Sequence, residues 1–174
     1  FDQEQLLDRV IVADGLPDSS MDDIADDVAA FHTRIPVADD DTEYGSPQTV
    51  FTAMDENFEA LAPRVKDPDR TAQLKRLRDW TRQRFDELRP FLETRRQHGC
   101  IRECHGDMHL GNMALVDGRV EIFDGIEFNA SLRWIDMVNE IAFLTMDLDH
   151  RAHPELGWRF LNRYLEQTGD FDGL

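Results

Sequence analysis

Residues 105–129 read HGDMHLGNMALVDGRVEIFDGIEFN. The middle of this stretch predicts a β-hairpin. Asp117-Gly118 suits a two-residue type I′ turn, because both residues tolerate positive φ. The flanking segments, Met113–Val116 and Val120–Phe123, are apolar enough to be half-buried strands. Three polar residues surround the hairpin: Asp107, Asn112 and Asp124. Folding the strands together brings Asp124 back toward Asn112. Two oxygen donors delivered in this way can hold a hard cation such as Mg²⁺.

The spacing narrows the chemistry. His105-x-Asp107-x₄-Asn112 has the skeleton of the protein-kinase catalytic loop, H-x-D-x₄-N. In that loop the Asp accepts the substrate hydroxyl proton and the Asn binds Mg²⁺, while a later Asp holds Mg²⁺ against the nucleotide phosphates. Asp107, Asn112 and Asp124 can fill these roles in order.

HGDMHLGN followed by IFDGIEFN resembles the aminoglycoside phosphotransferase and choline-kinase-like family, a branch of the kinase fold. The wording is closest to a bacterial subgroup in which a kinase-like domain precedes a P-loop ATP-binding domain. The resemblance extends to FDQEQLLDR, LRWIDMVNEIAFLTMDL and WRFLNRYLEQTGDFDGL, and so to nearly the whole chain. It implies an ATP-dependent small-molecule kinase with Asp107 as catalytic base, Asn112 and Asp124 as Mg²⁺ ligands, and Asp136 bracing the loop from the next helix. FDGIEFN stands where protein kinases carry DFG, so protein-kinase activity is not implied. His105 is expected to hold the loop by hydrogen bonds. His109 either approaches the γ-phosphate or packs. Glu127 either holds a second metal through water or fixes its loop. The implied acceptor is a small hydroxyl compound.

The rest of the chain predicts helices. Leu6, Leu7, Val10 and Ile11 mark one at 3–13, capped by Asp2. Met21, Ile24, Val28 and Phe31 mark the next, with His32 as a packing residue beside that face. Ser46-Pro47 reads as an N-cap and first helical residue, followed by a Val50, Met54, Phe58, Leu61 stripe. A long pattern from Asp69 to about Gln97 contains Pro90, which is expected to kink or divide it. Residues 101–104 predict a short strand into the loop. A helix from about Leu132 to Arg151, apolar on several sides, is expected to be buried most of the way round. A last helix opens at Pro154 and ends at Gly169. The sum is one domain over 1–174, α+β and mainly α, like the C-terminal lobe of a kinase.

A complete kinase also needs a Gly-rich strand–loop and a strand lysine before the catalytic loop. Neither is visible, and no GxxxxGK[ST] occurs. The chain is therefore expected to be a fragment, partnered in the same polypeptide by a nucleotide-covering lobe before Phe1 and, in the subgroup, a P-loop domain after Leu174.

The net charge of −17 argues against nucleic acid. Residues 1–60 hold sixteen Asp and Glu against Arg9 and Arg34, and residues 61–100 hold eleven of the nineteen basic side chains. Oppositely charged helix faces are one reading; an acidic wall for a cationic substrate is another. No membrane span and no signal peptide is read. Cys100 and Cys104 do not make a disulfide framework, which favours a cytoplasmic protein. Two further functions compete: a metal-dependent hydrolase using His105, Asp107 and His109 with Cys100 and Cys104 as zinc thiolates, and a noncatalytic regulatory or binding module.

Overall fold

The computed structural model describes residues 2–13, 15–17 and 19–173. The protein is α+β and mainly α, with short antiparallel strands. It divides into two compact units: the chain up to Val37 together with the chain from Arg102 onward, and the intervening Ala38–Ile101.

The first unit contains α1 (Leu7–Val10), α2 (Ser19–Arg34), strands β2 (Met113–Val116) and β3 (Arg119–Ile122), α5 (Met137–His150) and α6 (Pro154–Thr168). Helices α2 and α6 pack side by side, and α5 packs on α6. Their inner faces meet in one core that includes Leu7, Met21, Ile24, Val28, Ile141, Leu144 and Phe160. Met108, Leu110 and Met113, from the stretch quoted first, are fully buried in that core. The hairpin pairs Met113 with Ile122 and Val116 with Arg119. Asp117 and Gly118 take φ of 51° and 78°, as the type I′ turn requires.

The second unit contains α3 (Pro47–Leu61) and α4 (Pro68–Gln97). Ser46 caps α3 by accepting from Thr49 N–H at 3.1 Å, and Pro47 opens it. Phe51 and Phe85 pack ring to ring, with centroids 4.7 Å apart. Arg78 of α4 grips Asp55 of α3 through two bonds of 2.9 and 2.8 Å and reaches Glu59 as well. Oppositely charged faces that pair are therefore present here. The α3 stripe is only half-buried, with Leu61 exposed.

Several boundaries are corrected. The first helix is broken at Leu6, which turns extended and bridges Ala114, leaving a 3₁₀ turn at Gln3–Gln5 and then α1. Helix α4 runs undivided through Pro90. The helix expected from Leu132 starts at Met137. Before it lie a 3₁₀ turn, Ala130–Leu132, and strand β4 (Trp134–Asp136), which pairs with β1 (Ile101–Glu103). Helix α5 is buried on one face only, through Glu140, Ile141, Leu144 and Leu148; Phe143 and Met146 are exposed. Among the described residues, no helix is long and apolar enough to cross a membrane.

Candidate functional site

Asp107 and Asn112 lie at the two ends of one tight loop. Asn112 is buried, and its Nδ2 donates both to the Asp107 carbonyl at 2.9 Å and to Asp107 Oδ2 at 3.0 Å. With both amide hydrogens used, Oδ1 is the atom of Asn112 available to a cation. The Asn112 carbonyl accepts from Phe123 N–H at 3.0 Å, which continues the hairpin ladder one step past Met113 and Ile122. Asp124 is the next residue. It is exposed and sits at φ 62°, a left-handed conformation uncommon for a non-glycine residue. The chain thus turns sharply at the residue expected to meet the metal.

His105 ties the loop to the same strand exit. Its Nε2 lies 2.8 Å from the Phe123 carbonyl, which can only accept, so the ring proton is on Nε2. Nδ1 accepts from Asp107 N–H at 3.3 Å. Both ring nitrogens are committed to backbone, and His105 is a positioning group. Its carbonyl also accepts from Ile126 N–H at 2.9 Å. Arg133 holds the segment beyond Asp124: Nη1 donates to the Ile126 and Glu127 carbonyls, both at 3.3 Å, while Nε donates to Glu103 at 3.0 Å. The side chain of Glu127 is exposed.

His109 Nδ1 accepts from Gly111 N–H at 3.0 Å, which leaves Nε2 facing Asp107 Oδ2 at 3.6 Å. Its ring also packs edge-on to Phe143. A cavity of about 250 Å³ between α2 and β3 meets the loop only at His105 and Met108.

Helix α5 supports the loop from beneath. Asp136 caps this helix, with Oδ1 accepting from Val138 N–H at 2.9 Å. Glu140, one turn on, takes a loop N–H: Oε1 accepts from Gly106 N–H at 2.6 Å. Asp147 accepts from Leu110 N–H at 3.0 Å and is itself held by Arg151 at 2.9 Å. The sequence reading missed Glu140 and Asp147. A signal for Glu140 exists, because an acid four and eight residues before Leu144 and Leu148 lies on the buried stripe and must find partners there. Gly106 itself sits at φ 85°, and a Cβ added to it would lie 2.7 Å from the Leu132 carbonyl. Only glycine fits that crossing.

His32, Cys104 and Glu140 bring three potential metal donors within 4.8 Å of one another, all buried. Among the described residues, His105, His109 and Cys100 belong to no such cluster. The Cys104 thiol is pushed far above its ordinary range by burial, then by the Glu140 and Asp136 carboxylates, and its S–H is directed at the Ile135 carbonyl.

No family model matches the chain, and no solved structure does. Curated relatives include uncharacterized proteins of Mycobacterium tuberculosis (strain ATCC 25618 / H37Rv) and Mycobacterium bovis (strain ATCC BAA-935 / AF2122/97). Each is 31% identical over 175 residues, an alignment that covers 98% of this chain and 34% of the relative. The chain spans about a third of the length of these relatives.

Proposed function

We propose that this chain carries the catalytic loop of a cytoplasmic, metal-dependent phosphotransferase that moves the γ-phosphoryl group of ATP to the hydroxyl of a small molecule. One observation carries the reading: Asn112 spends both amide hydrogens on Asp107, and the hairpin register returns the chain to Asp124 one residue past the Asn112–Phe123 bond. The donor set fits Mg²⁺, since Asn112 Oδ1 and the Asp124 carboxylate are hard oxygen ligands. When bound, Mg²⁺ would offset charge on the nucleotide phosphates.

The chain's own residues do the rest. Asp107 is only part-buried and is fixed at Oδ2, which suits it to orient an acceptor hydroxyl and take its proton. His105 holds the loop against the strand exit. His109 Nε2 faces the same carboxylate and is available to an incoming phosphate. Asp136 starts the helix that carries Glu140 under Gly106. Glu127, whose side chain is exposed, would either hold a second metal through water or fix its loop. The nucleotide-covering lobe and the P-loop domain implied by the resemblance are assigned to further parts of the polypeptide, and the greater length of the relatives is in keeping with that.

The test uses the full-length protein with a panel of hydroxylated metabolites. Asp107→Ala is expected to abolish phosphoryl transfer while calorimetry finds nucleotide–Mg²⁺ binding nearly unchanged, because that carboxylate acts in the transition state. Asp124→Ala is expected to lose both. Equal loss of nucleotide affinity in the two variants would make both aspartates metal ligands and remove Asp107 as the base.

A further inference from the structure

We infer that His32 and Tyr164 are positioning residues for Asp107, acting through Glu140 on the backbone of the catalytic loop; the inference rests on the phosphotransfer reading above. Glu140 Oε2 faces His32 Nε2 at 2.8 Å, and His32 Nδ1 faces the Tyr164 hydroxyl at 2.8 Å. Glu140 and His32 are 1% exposed and Tyr164 is fully buried. A carboxylate oxygen accepts, so His32 Nε2 carries a proton; in the neutral imidazole Nδ1 then accepts and Tyr164 donates. With the neutral imidazole every member of the chain is satisfied: Tyr164 O–H to Nδ1, Nε2–H to Oε2, and Gly106 N–H to Oε1.

The consequence is geometric. A carboxylate held at Oε2 by a buried imidazole has its plane fixed, and Oε1 is then fixed beneath Gly106, the residue before Asp107. His32 lies on α2 and Tyr164 on α6. The aim of Asp107 is thereby set by two helices on which none of the proposed acceptor-binding or metal-binding residues lies. Misplacement on the order of 1 Å is enough to lower a chemical step by about 100-fold.

In the full-length protein, Tyr164→Phe is expected to lower kcat about tenfold and leave KM for ATP within about twofold. His32→Leu is expected to lower kcat further, and adding Tyr164→Phe to it should change nothing more, since the hydroxyl acts only through the imidazole. His32→Gln keeps a donor toward Glu140 and should recover part of the loss. Tyr164→Phe preserves the buried ring, so it guards against variants that fail to fold. Amide hydrogen exchange gives a readout independent of activity: Gly106 N–H should exchange faster in each variant while α6 amides do not. If the parent transfers no phosphoryl group but Gly106 exchange responds as described, the positioning stands and the phosphotransfer reading falls. An active parent whose kcat and Gly106 exchange ignore Tyr164→Phe overturns the positioning. So does one zinc per chain lost on Cys104→Ser, which would make His32, Cys104 and Glu140 a ligand set instead.

Discussion

Helix α2 presents charge and polarity in two opposite settings. Near its end, His32 is sealed inside and meets Glu140, equally buried, at 2.8 Å. Along its outer edge, Asp22 and Asp26 each take a two-pronged grip from α6, from Arg159 at 2.9 and 2.7 Å and from Arg163 at 2.7 and 2.8 Å. In bond lengths alone the outer pairs look at least as good. Their side chains are more than a third exposed, however, and water competes for every one of those bonds. The inner contact has no such competitor, so losing one partner strands the others. Burial, and not the number of bonds, decides which contact holds the fold.

The largest expected effect is at the inner contact. Glu140→Ala removes the acceptor of Gly106 N–H and the partner of His32 together, leaving buried polar groups unpaired. A loss of about 3–5 kcal/mol in unfolding free energy is expected by chemical denaturation. A loss under about 1 kcal/mol would mean that the site relaxes to admit water and that the contrast with the outer edge is false.

Asp136 lies between the extremes. It is part-buried, caps α5 through Val138 N–H, and stands one turn before Glu140. Asp136→Ala should cost about 1 kcal/mol, as N-cap losses do, and Asp136→Asn or Asp136→Ser should restore most of it. A loss equal to that of Glu140→Ala would make Asp136 a second principal support of the loop.

Legibility in the sequence followed the same division. The hairpin, its turn and the loop spacing of Asp107, Asn112 and Asp124 could be read because local rules govern them: turn dihedrals, strand alternation and a fixed interval. The cap at Ser46 and the end at Gly169 are local in the same sense. Glu140 was missed because its partners, His32 and Gly106, lie 108 and 34 residues away. Strand β4 was missed because three residues, Trp134–Asp136, precede a helix of similar composition and are extended only by pairing with β1. The apolar residues around α5 suggested burial on most sides, yet only the stripe through Glu140, Ile141, Leu144 and Leu148 faces the core, and composition alone does not say which face finds a neighbour.

The smallest effect is expected at the outer edge, and its acid dependence has a definite sign. Hydrogen bonds from Arg159 hold the Asp22 carboxyl below its ordinary value of 3.8, and those from Arg163 do the same for Asp26. A carboxyl lowered in the folded state binds fewer protons there than in the unfolded chain as the medium turns acid. Its contribution is therefore complete above the ordinary value and is lost as pH falls through the lowered one. Both pairs are exposed, so solvent screening keeps the contribution small. The double variant Arg159→Ala, Arg163→Ala should lose little stability near neutral pH, far less than Glu140→Ala. Most of that difference should disappear in high salt. It should also shrink toward zero as the pH is taken below the ordinary carboxylate range, because the protonated aspartates of the parent no longer attract the arginines. Thermal unfolding of parent and double variant across that acid range provides the measurement. A deficit that persists after the aspartates are protonated would show that Arg159 and Arg163 stabilise α6 by packing their aliphatic stems against α2, and the outer edge would then join the inner one as a matter of buried surface.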